Sequence, residues 1–416
     1  MNQKYNEILK RELIESMGCT EPSAIAFAVA YCREQIDEPV ESIKLQLSSN
    51  VLKNALCVTI PNTSRSGIKM IVALALSVGK SQNKLTILNS IQSQDIKNAE
   101  QLIKDIDIDV GLSQTTKSLY IQTCIKTSNH VVEVIVEDEH DKISSCKLDN
   151  EIIFENKNEI HNEKCQDVQM NLKEILTFIT SAEIDFLLLR NVRDYNLEIA
   201  SHGTTKSLGL GLGNKISNTP VYNEVISHII AKTAGGIDAR MSGTAKRVYI
   251  NSGSGNQGIT ATVPVIEFAR LKGLSEEKQL RALALSHLLA IYIRSSQGKL
   301  SSTCGAVCAA AGVAGSVAYI LGGNEKEISG AVTNLLCSNF GVFCDGAKST
   351  CSLKVVSAVS SAITCAYLAV ENIIIDSKLG VISNALDKTL NTLGKIENKF
   401  TQELDKVILE EALKDI

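Results

Sequence analysis

Three cysteines in the last third of this 416-residue chain lie where their thiols could bind a metal. Cys304 precedes a run of small residues, while Cys344 and Cys351 enclose a short polar stretch between two apolar segments. Small neighbours leave a sulfur atom open to close approach by an inorganic cluster. Three thiolates would bind three irons of a four-iron cluster and leave the fourth iron as an open Lewis acid.

The spacing of these cysteines, taken alone, leaves other interpretations open. The separation of Cys344 from Cys351 matches none of the common zinc or ferredoxin motifs. A structural zinc protein and a redox or iron-sulfur sensor without catalysis are therefore the alternatives from other classes. Free cysteine is also among the most buried residue types, so Cys308, Cys337 and Cys365 in apolar segments are predicted to pack in the core.

The stretch 251–258 could bind a small anion. It is rich in glycine and serine and follows the strand-like segment 247–250, so its main-chain N–H groups could bind a carboxylate at the start of the next helix. It lacks the lysine of a P-loop, and no second strand or suitably spaced acidic residue follows, which makes nucleotide binding the weaker interpretation. A tight packing turn explains the stretch equally well.

Two further short segments carry groups suited to proton transfer. His202 lies among Ser, Thr and Lys in the segment 201–206, which is predicted as a loop, and could act as a base or simply be solvated. Cys19 lies at the N-terminal side of a predicted helix, where the helix dipole favours a thiolate. Cys19 could therefore be reactive or bind a metal.

The overall composition excludes some classes of protein. Hydrophobic residues make up 44% and charged residues 21% of the chain, which is ordinary for a soluble protein. The net charge of -4, the absence of tryptophan and the 4% of aromatic residues argue against a nucleic-acid partner. The polar N-terminus shows no signal-peptide pattern, so we expect a cytoplasmic protein whose 12 cysteines stay reduced.

The periodicity of apolar residues predicts an α+β fold. We expect an α+β domain with a small sheet over 1–165 and a mainly helical domain over 166–416 that carries Cys304, Cys344 and Cys351. The uncharged stretch 304–321 approaches the length of a membrane span, but its Ala, Gly and Ser content predicts a buried central helix. The local predictions are helices over 3–36 and 68–78, strands within 43–60, 85–88 and 119–148, and helix breaks at 202–205, 235–236, 251–258, 322–323 and 343–350.

Six short motifs in a fixed order give the chain a family resemblance. They run from Gly18-Cys19-Thr20-Glu21-Pro22 through 50–55, 61–63, 252–258 and 303–305 to Cys344-Asp345-Gly346-Ala347-Lys348. With these motifs the chain resembles the L-cysteine desulfidase family, which is related to the α-chain of the iron-sulfur L-serine dehydratases. The resemblance covers essentially the whole chain.

The resemblance implies an enzyme with a [4Fe-4S] cluster that works without pyridoxal phosphate. It implies elimination of hydrogen sulfide from L-cysteine to leave pyruvate and ammonia, with L-serine as the alternative substrate by the same mechanism. It places the cluster on Cys304, Cys344 and Cys351, and it makes Cys19 a further cysteine near the site, as base, proton donor or ligand. The expected partner is a small amino acid, without nucleic acid or membrane, and a homodimer is one compatible assembly.

An elimination also needs a base for the Cα proton and groups that orient the substrate carboxylate. Cys19 and His202 are the candidate bases. Lys348, next to the motif cysteine Cys344, could hold the carboxylate or steady the charge of the cluster. The candidate donors to the carboxylate are Asn50, Asn62, Thr63, Thr204, Ser252, Ser254 and Asn256.

Overall fold

The computed structural model describes residues 2–18, 20–115, 117, 119–156, 170–181, 183–297, 302–375 and 380–414. Cys19 and the predicted domain boundary at residue 165 lie outside these residues. The fold is α+β, as the periodicity predicts, with a mixed sheet in the N-terminal part and helices dominating the C-terminal part.

The described strands are β1 (Glu15–Met17), β2 (Ser42–Leu47), β3 (Asp107–Leu112), β4 (Tyr120–Lys126), β5 (Val131–Glu137), β6 (Ile143–Leu148), β7 (Glu151–Glu155) and β8 (Arg247–Tyr249). Six of them form one mixed sheet in the order β3-β2-β4-β5-β6-β7, in which the β2–β3 pair is parallel and the other pairs are antiparallel. Alternate residues of β5, including Val132 and Val134, are buried, because successive side chains of a strand point to opposite faces.

Helices cover the buried face of this sheet and build the second core. The described helices are α1 (Asn2–Glu12), α2 (Thr20–Arg33), α3 (Ser49–Ala55), α4 (Ile68–Val78), α5 (Ser93–Asp105), α6 (Leu172–Ile179), α7 (Phe186–Thr205), α8 (Leu212–Asn218), α9 (Glu224–Met241), α10 (Gly255–Leu271), α11 (Glu276–Gln297), α12 (Gly305–Ile320), α13 (Glu325–Asn339), α14 (Cys351–Val370) and α15 (Leu386–Leu413). The apolar helix α2 packs on β4 and β5, and α4 packs on α2. Proline at the third position of α2 is tolerated because the first helical turn needs no N–H there.

The second hydrophobic core surrounds α12, which contacts α10, α11, α13 and α14. Alanine, glycine and valine make up most of α12, so neighbouring helices approach it closely and its residues 306–318 are buried, as predicted for the stretch 304–321. The first helix of the chain also belongs to this core, since Tyr5 and Leu9 of α1 are buried in it. β1 then pairs with β8, which joins the N-terminal segment to the helical part.

Several local predictions are wrong. The segment after Asn50 forms α3 instead of a strand, and the predicted strand 85–88 is replaced by a 3-10 helix over Ser81–Thr86 and a turn. The predicted breaks at 202–205 and 235–236 lie inside α7 and α9. The glycines there permit a close helix crossing, because a Cβ on Gly203 would lie 1.7 Å from the Gly235 carbonyl oxygen.

The prediction that Cys308, Cys337 and Cys365 pack in the core is confirmed for two of them and wrong for the third. Cys308 and Cys365 are buried as expected, whereas Cys337 is exposed near the C-terminal end of α13. The prediction for Cys337 is therefore wrong, because its position faces away from the core although its neighbours 331–336 are buried.

Among the described residues, α14 is the one helix long and apolar enough to cross a membrane by length and composition. Only 44% of its most apolar stretch is buried. Core helices of soluble proteins meet the same criterion, so the finding is weak evidence for a membrane span.

A buried ion pair joins α3 to α15. The Nζ atom of Lys53 lies 2.7 Å from Oδ1 of Asp405, and the two side chains are only 2% and 5% exposed. Buried charges are tolerated when each neutralises the other. The pair therefore fixes the C-terminal helix against the N-terminal part of the molecule.

Replacing Lys53 with methionine leaves the Asp405 carboxylate buried without its cation. We expect Lys53→Met to lower the free energy of unfolding by about 3–5 kcal/mol, because an uncompensated buried charge is strongly destabilising. Adding Asp405→Leu removes both charges and should recover most of the loss. Urea unfolding followed by circular dichroism measures these changes, with Lys406→Met at the exposed neighbouring position as the control. A Lys53→Met variant as stable as the control would contradict this assignment.

Candidate active site

Main-chain hydrogen bonds hold Cys304 and Cys344 side by side. The Cys304 amide donates to the Val342 carbonyl at 2.9 Å, and the Cys344 amide donates to the Ser302 carbonyl at 2.7 Å. A pairing of this kind leaves little freedom in the separation of the two chain segments. It brings together two cysteines that are distant in sequence.

The third cysteine completes the group from the start of α14. The Cys351 thiol lies 3.7 Å from the Gly346 carbonyl oxygen, and the electrostatic influence of Cys344 reaches both other thiols. Cys304, Cys344 and Cys351 line one cavity of about 780 Å³. The structure thus brings all three predicted metal ligands to one place.

The same cavity collects part of the predicted substrate-binding set. Its lining includes Asn50, Ser252, Ser254 and Asn256, but it does not include Asn62, Thr63, His202, Thr204 or Lys348. Ser254 is the N-cap of α10, where its hydroxyl accepts from the Gln257 amide at 3.3 Å. The strand, loop and helix from 247 to 271 therefore place Ser252, Ser254 and Asn256 in the same cavity as the thiols.

The predicted residues outside the cavity lining make hydrogen bonds within the fold. Asn62 Nδ2 donates to the Asn89 carbonyl at 2.7 Å, and Thr63 Oγ1 donates to the Ile60 carbonyl at 2.9 Å. Both residues thereby stabilise the turn before α4.

His202 and Thr204 lie in the last turn of α7 instead of a loop. The Thr204 hydroxyl donates to the Ser201 carbonyl at 2.9 Å. Burial and the nearby cations of Lys206 and Lys246 lower the pKa of His202, so its imidazole is neutral at pH 7. The catalytic role suggested for His202 stays a prediction.

Lys348 pairs with the carboxylate of its own loop. Its Nζ lies 2.5 Å from Oδ2 of Asp345, whose other oxygen is 2.5 Å from Nζ of Lys354. Lys354, which the sequence analysis missed, also donates to the Phe343 carbonyl at 2.7 Å. Burial disfavours the charge of Lys354, but the carboxylate of Asp345 raises its pKa, so it is a cation at neutral pH.

The electrostatics of the thiols depend on burial. Burial raises the pKa of Cys304 to about 12, and the neighbouring Cys344 adds to the effect. Burial also raises the pKa of Cys351, while Lys354 and Arg240 act in the opposite direction. The metal-free thiols of Cys304 and Cys351 are therefore protonated at neutral pH, and metal binding to them would release protons.

Three arginines that the sequence analysis missed also line the cavity, and one of them, Arg11, pairs with the neighbouring Glu12. Arg240 is 8% exposed, and its guanidinium donates to Asn256 Oδ1 at 2.9 Å and to the Gly18 carbonyl at 3.1 Å. The Nη1 atom of Arg294 is buried and has no hydrogen-bond partner in the described part of the chain. A guanidinium fork matches a carboxylate in shape and charge, so Arg240 and Arg294 are candidate anchors for an acidic group.

Glu21 and Gln257 also belong to the polar lining of the cavity. The Oε1 atom of Glu21 accepts from Asn54 Nδ2 at 2.9 Å on the wall of the cavity. A signal was present for Arg240, since a charged residue within an apolar helix needs a partner or a function. Gln257 lies within the motif 252–258, although it was not among the candidate donors.

The chemistry of the three thiols fits an iron-sulfur cluster. Cysteine thiolates are the ordinary ligands of such clusters, and a four-iron cluster binds each thiolate through a different iron. Within the described residues, no three His, Cys, Asp or Glu side chains are grouped tightly enough to hold a single metal ion. All three cysteines line the same cavity of about 780 Å³.

Comparison with known proteins defines the class of this chain. Residues 82–410 match the family described as the serine dehydratase alpha chain, and the chain belongs to that family. The relation to serine dehydratases drawn from the six motifs is thereby confirmed.

Curated relatives extend the similarity over nearly the full chain. A UPF0597 protein of Clostridium perfringens is 34% identical over 417 residues, which cover 98% of this chain and 97% of the relative. A UPF0597 protein of Phocaeicola vulgatus is 34% identical over 411 residues, covering 97% and 95%. One of Clostridioides difficile is 32% identical over 419 residues, covering 97% of each.

A methyl group on Gly346 should displace the loop that carries Cys344. Gly346 has φ +99, and a Cβ there would lie 2.3 Å from the Lys53 carbonyl oxygen of α3. We expect Gly346→Ala to destabilise the protein by about 1–3 kcal/mol and to speed alkylation of Cys344 by iodoacetamide. The control is Gly341→Ala, where a Cβ meets no heavy atom within 4 Å. Mass spectrometry of the labelled metal-free proteins would contradict the prediction if both variants reacted at the same rate.

Proposed function

We propose that this chain is an iron-sulfur lyase that eliminates hydrogen sulfide from L-cysteine. In this reaction a base removes the Cα proton and the bond from Cβ to sulfur breaks. The resulting enamine tautomerises to an imine, and water converts the imine to pyruvate and ammonia. The observation that carries the proposal is one cavity lined by three thiols and by the guanidinium groups of Arg240 and Arg294.

Cys304, Cys344 and Cys351 would hold the cluster in this proposal. When bound, a [4Fe-4S] cluster with three protein thiolates supplies an open iron, a Lewis acid that makes the sulfur a better leaving group. The cation of Lys354 lies near enough to Cys304 and Cys344 for their charges to interact. Lys354 would therefore offset part of the negative charge of the thiolates.

Arg240 and Arg294 would bind the carboxylate of the substrate. Arg240 is held by Asn256 and by the carbonyl of Gly18, so its guanidinium is already oriented before the substrate arrives. Asn50, Ser252 and Ser254 line the same cavity and can add hydrogen bonds. We keep Cys19 as the proposed base, since it lies in sequence between Gly18 and the cavity residue Glu21.

L-serine is the second candidate substrate. The description of the matching family, the serine dehydratase alpha chain, favours it. L-cysteine and L-serine share the carboxylate and the ammonium group and differ in the atom that leaves. The same residues would therefore orient both.

The thiols of such a site need a reducing compartment. Cytosolic thiols are kept reduced by glutathione and thioredoxin, whereas oxidising compartments favour disulfides. We therefore place the protein in the cytoplasm.

Removal of any one proposed ligand should remove the iron and the activity together. We expect Cys304→Ser, Cys344→Ser and Cys351→Ser, purified without oxygen, to lose most of their iron and at least about a hundredfold in pyruvate formation. Cys337→Ser is the control, because Cys337 is exposed and lies outside the cavity lining. Iron content, visible absorbance and pyruvate formation from L-cysteine and L-serine at equal concentration are the measurements.

Comparison of iron content and activity among the variants distinguishes loss of the cluster from loss of the base. Cys19→Ser should lose activity while it retains iron, because a base is not needed to hold the cluster. Full iron content in Cys351→Ser would show that the ligand set is wrong. A colourless wild-type protein that contains zinc would contradict the whole proposal.

A further inference from the structure

A buried network of neutral polar side chains lies next to the cavity. It connects α7, α10 and α11 through Asn196, Thr262 and His287, and it continues through Asn251 to Gln257. All five residues are at most 1% exposed. A buried polar group must have its hydrogen bonds satisfied, so a network of this kind has one favoured arrangement of donors and acceptors.

The main chain sets the direction of this network at one end. The Tyr249 amide donates to Asn196 Oδ1 at 3.0 Å, and Asn196 Nδ2 donates to the Tyr249 carbonyl at 3.1 Å. Asn196 therefore presents its Nδ2 to Thr262 Oγ1, which lies 3.0 Å away. The hydroxyl hydrogen of Thr262 goes to the Gly258 carbonyl at 2.7 Å.

These assignments fix the tautomer of His287. Thr262 Oγ1 has already used its hydrogen, so His287 Nε2, 3.0 Å away, must carry the proton and donate it. Burial lowers the pKa of His287 to about 3, so the ring is neutral and Nδ1 keeps its lone pair. Nδ1 then accepts from Asn251 Nδ2 at 2.9 Å.

The orientation of Asn251 determines the orientation of Gln257. With its Nδ2 facing His287, Asn251 presents Oδ1 to Gln257 Nε2 at 2.7 Å. The remaining polar atom of Gln257 is its carbonyl oxygen, Oε1. This oxygen lies beside Gly305 on the cavity wall, 2.9 Å from the point that a Cβ on Gly305 would occupy.

We infer that Gln257 binds the ammonium group of the substrate and that His287 is the residue that positions it. The inference rests on the proposed function, because it needs an amino-acid substrate in this cavity. A fixed carbonyl oxygen accepts a hydrogen bond from an ammonium group and cannot donate to a carboxylate. Arg240 and Arg294 bind the carboxylate. The carboxylate of the substrate is therefore bound by hydrogen-bond donors, and its ammonium group is bound by an acceptor.

Gln257→Met tests the ammonium contact in the iron-loaded enzyme. The test compares the KM of L-cysteine with the inhibition constant of 3-mercaptopropionate, which has the same thiol and carboxylate but no amino group. A hydrogen bond to a charged group corresponds to about a 10- to 100-fold change in affinity. Gln257→Met should raise the KM of L-cysteine by about this factor and change the inhibition constant less than about threefold.

Thr262→Val and Thr262→Ser test the positioning role of His287. Valine removes the acceptor of the Nε2 proton, which frees the ring to change tautomer and the Asn251 amide to turn. Serine keeps the hydroxyl. We expect Thr262→Val to lose part of the preference for L-cysteine over 3-mercaptopropionate and Thr262→Ser to keep it, whereas a loss of packing alone would weaken both ligands equally.

The outcomes separate this inference from the proposed function. A wild-type enzyme that forms no pyruvate from L-cysteine or L-serine would overturn the proposed function and the inference with it. A wild-type enzyme that does turn over, with an unchanged ratio of constants in iron-loaded Gln257→Met, would overturn the ammonium assignment alone. Equal ratios in Thr262→Val and Thr262→Ser would overturn the positioning role of His287.

Discussion

The main-chain pairing between Ser302–Cys304 and Val342–Cys344 is the constraint on which the site depends. The helices on either side of it do not by themselves fix the separation of the two thiols. Side chains from α15 secure the pairing, since the buried carboxylate of Glu397 accepts from both the amide and the hydroxyl of Thr303, at 2.8 and 2.5 Å. The Lys53–Asp405 pair then ties α15 to α3, and the carbonyl of Lys53 lies against the loop at Gly346. These contacts connect the chain segments that carry the thiols to α15 and α3, and thereby to both hydrophobic cores.

Burial of the thiols of Cys304 and Cys351 has an electrostatic consequence that explains the cations around them. Burial raises the pKa of Cys304 to about 12, so a thiolate there is stable only with compensating positive charge. Lys354 and Arg240 both favour the thiolate of Cys351, and Lys354 also favours that of Cys304. A cationic cluster of irons would contribute the rest. Binding of a cluster to these thiols would therefore release protons. Its affinity should rise with pH up to the pKa of Cys304.

Residue patterns predicted the parts of the molecule that local physics determines. The apolar periodicity of 68–78 and the small residues of 304–321 predict α4 and the buried α12, and both are present. The strand prediction after Asn50 is wrong because the apolar residues there form the buried face of α3. The predicted breaks in α7 and α9 are wrong because their glycines permit a close helix crossing. The same distinction applies to the residues of the site. Motifs located the thiols and the stretch 252–258, which contains Gln257, but Arg240 and Arg294 reach the cavity only through tertiary packing, which no spacing in the sequence reveals.

The choice of glutamine at position 257 follows from the charge of its surroundings. A glutamate would bind an ammonium group more strongly in isolation, but it would stand near Gly305, directly after Cys304. Another negative charge there would oppose the thiolates and raise the cost of forming them. A neutral carbonyl oxygen avoids this repulsion, but it is selective only if the amide cannot turn over and present Nε2 instead. The neutral His287, with its tautomer determined through Thr262 and Asn196 by the main chain of Tyr249, supplies that restriction without introducing charge.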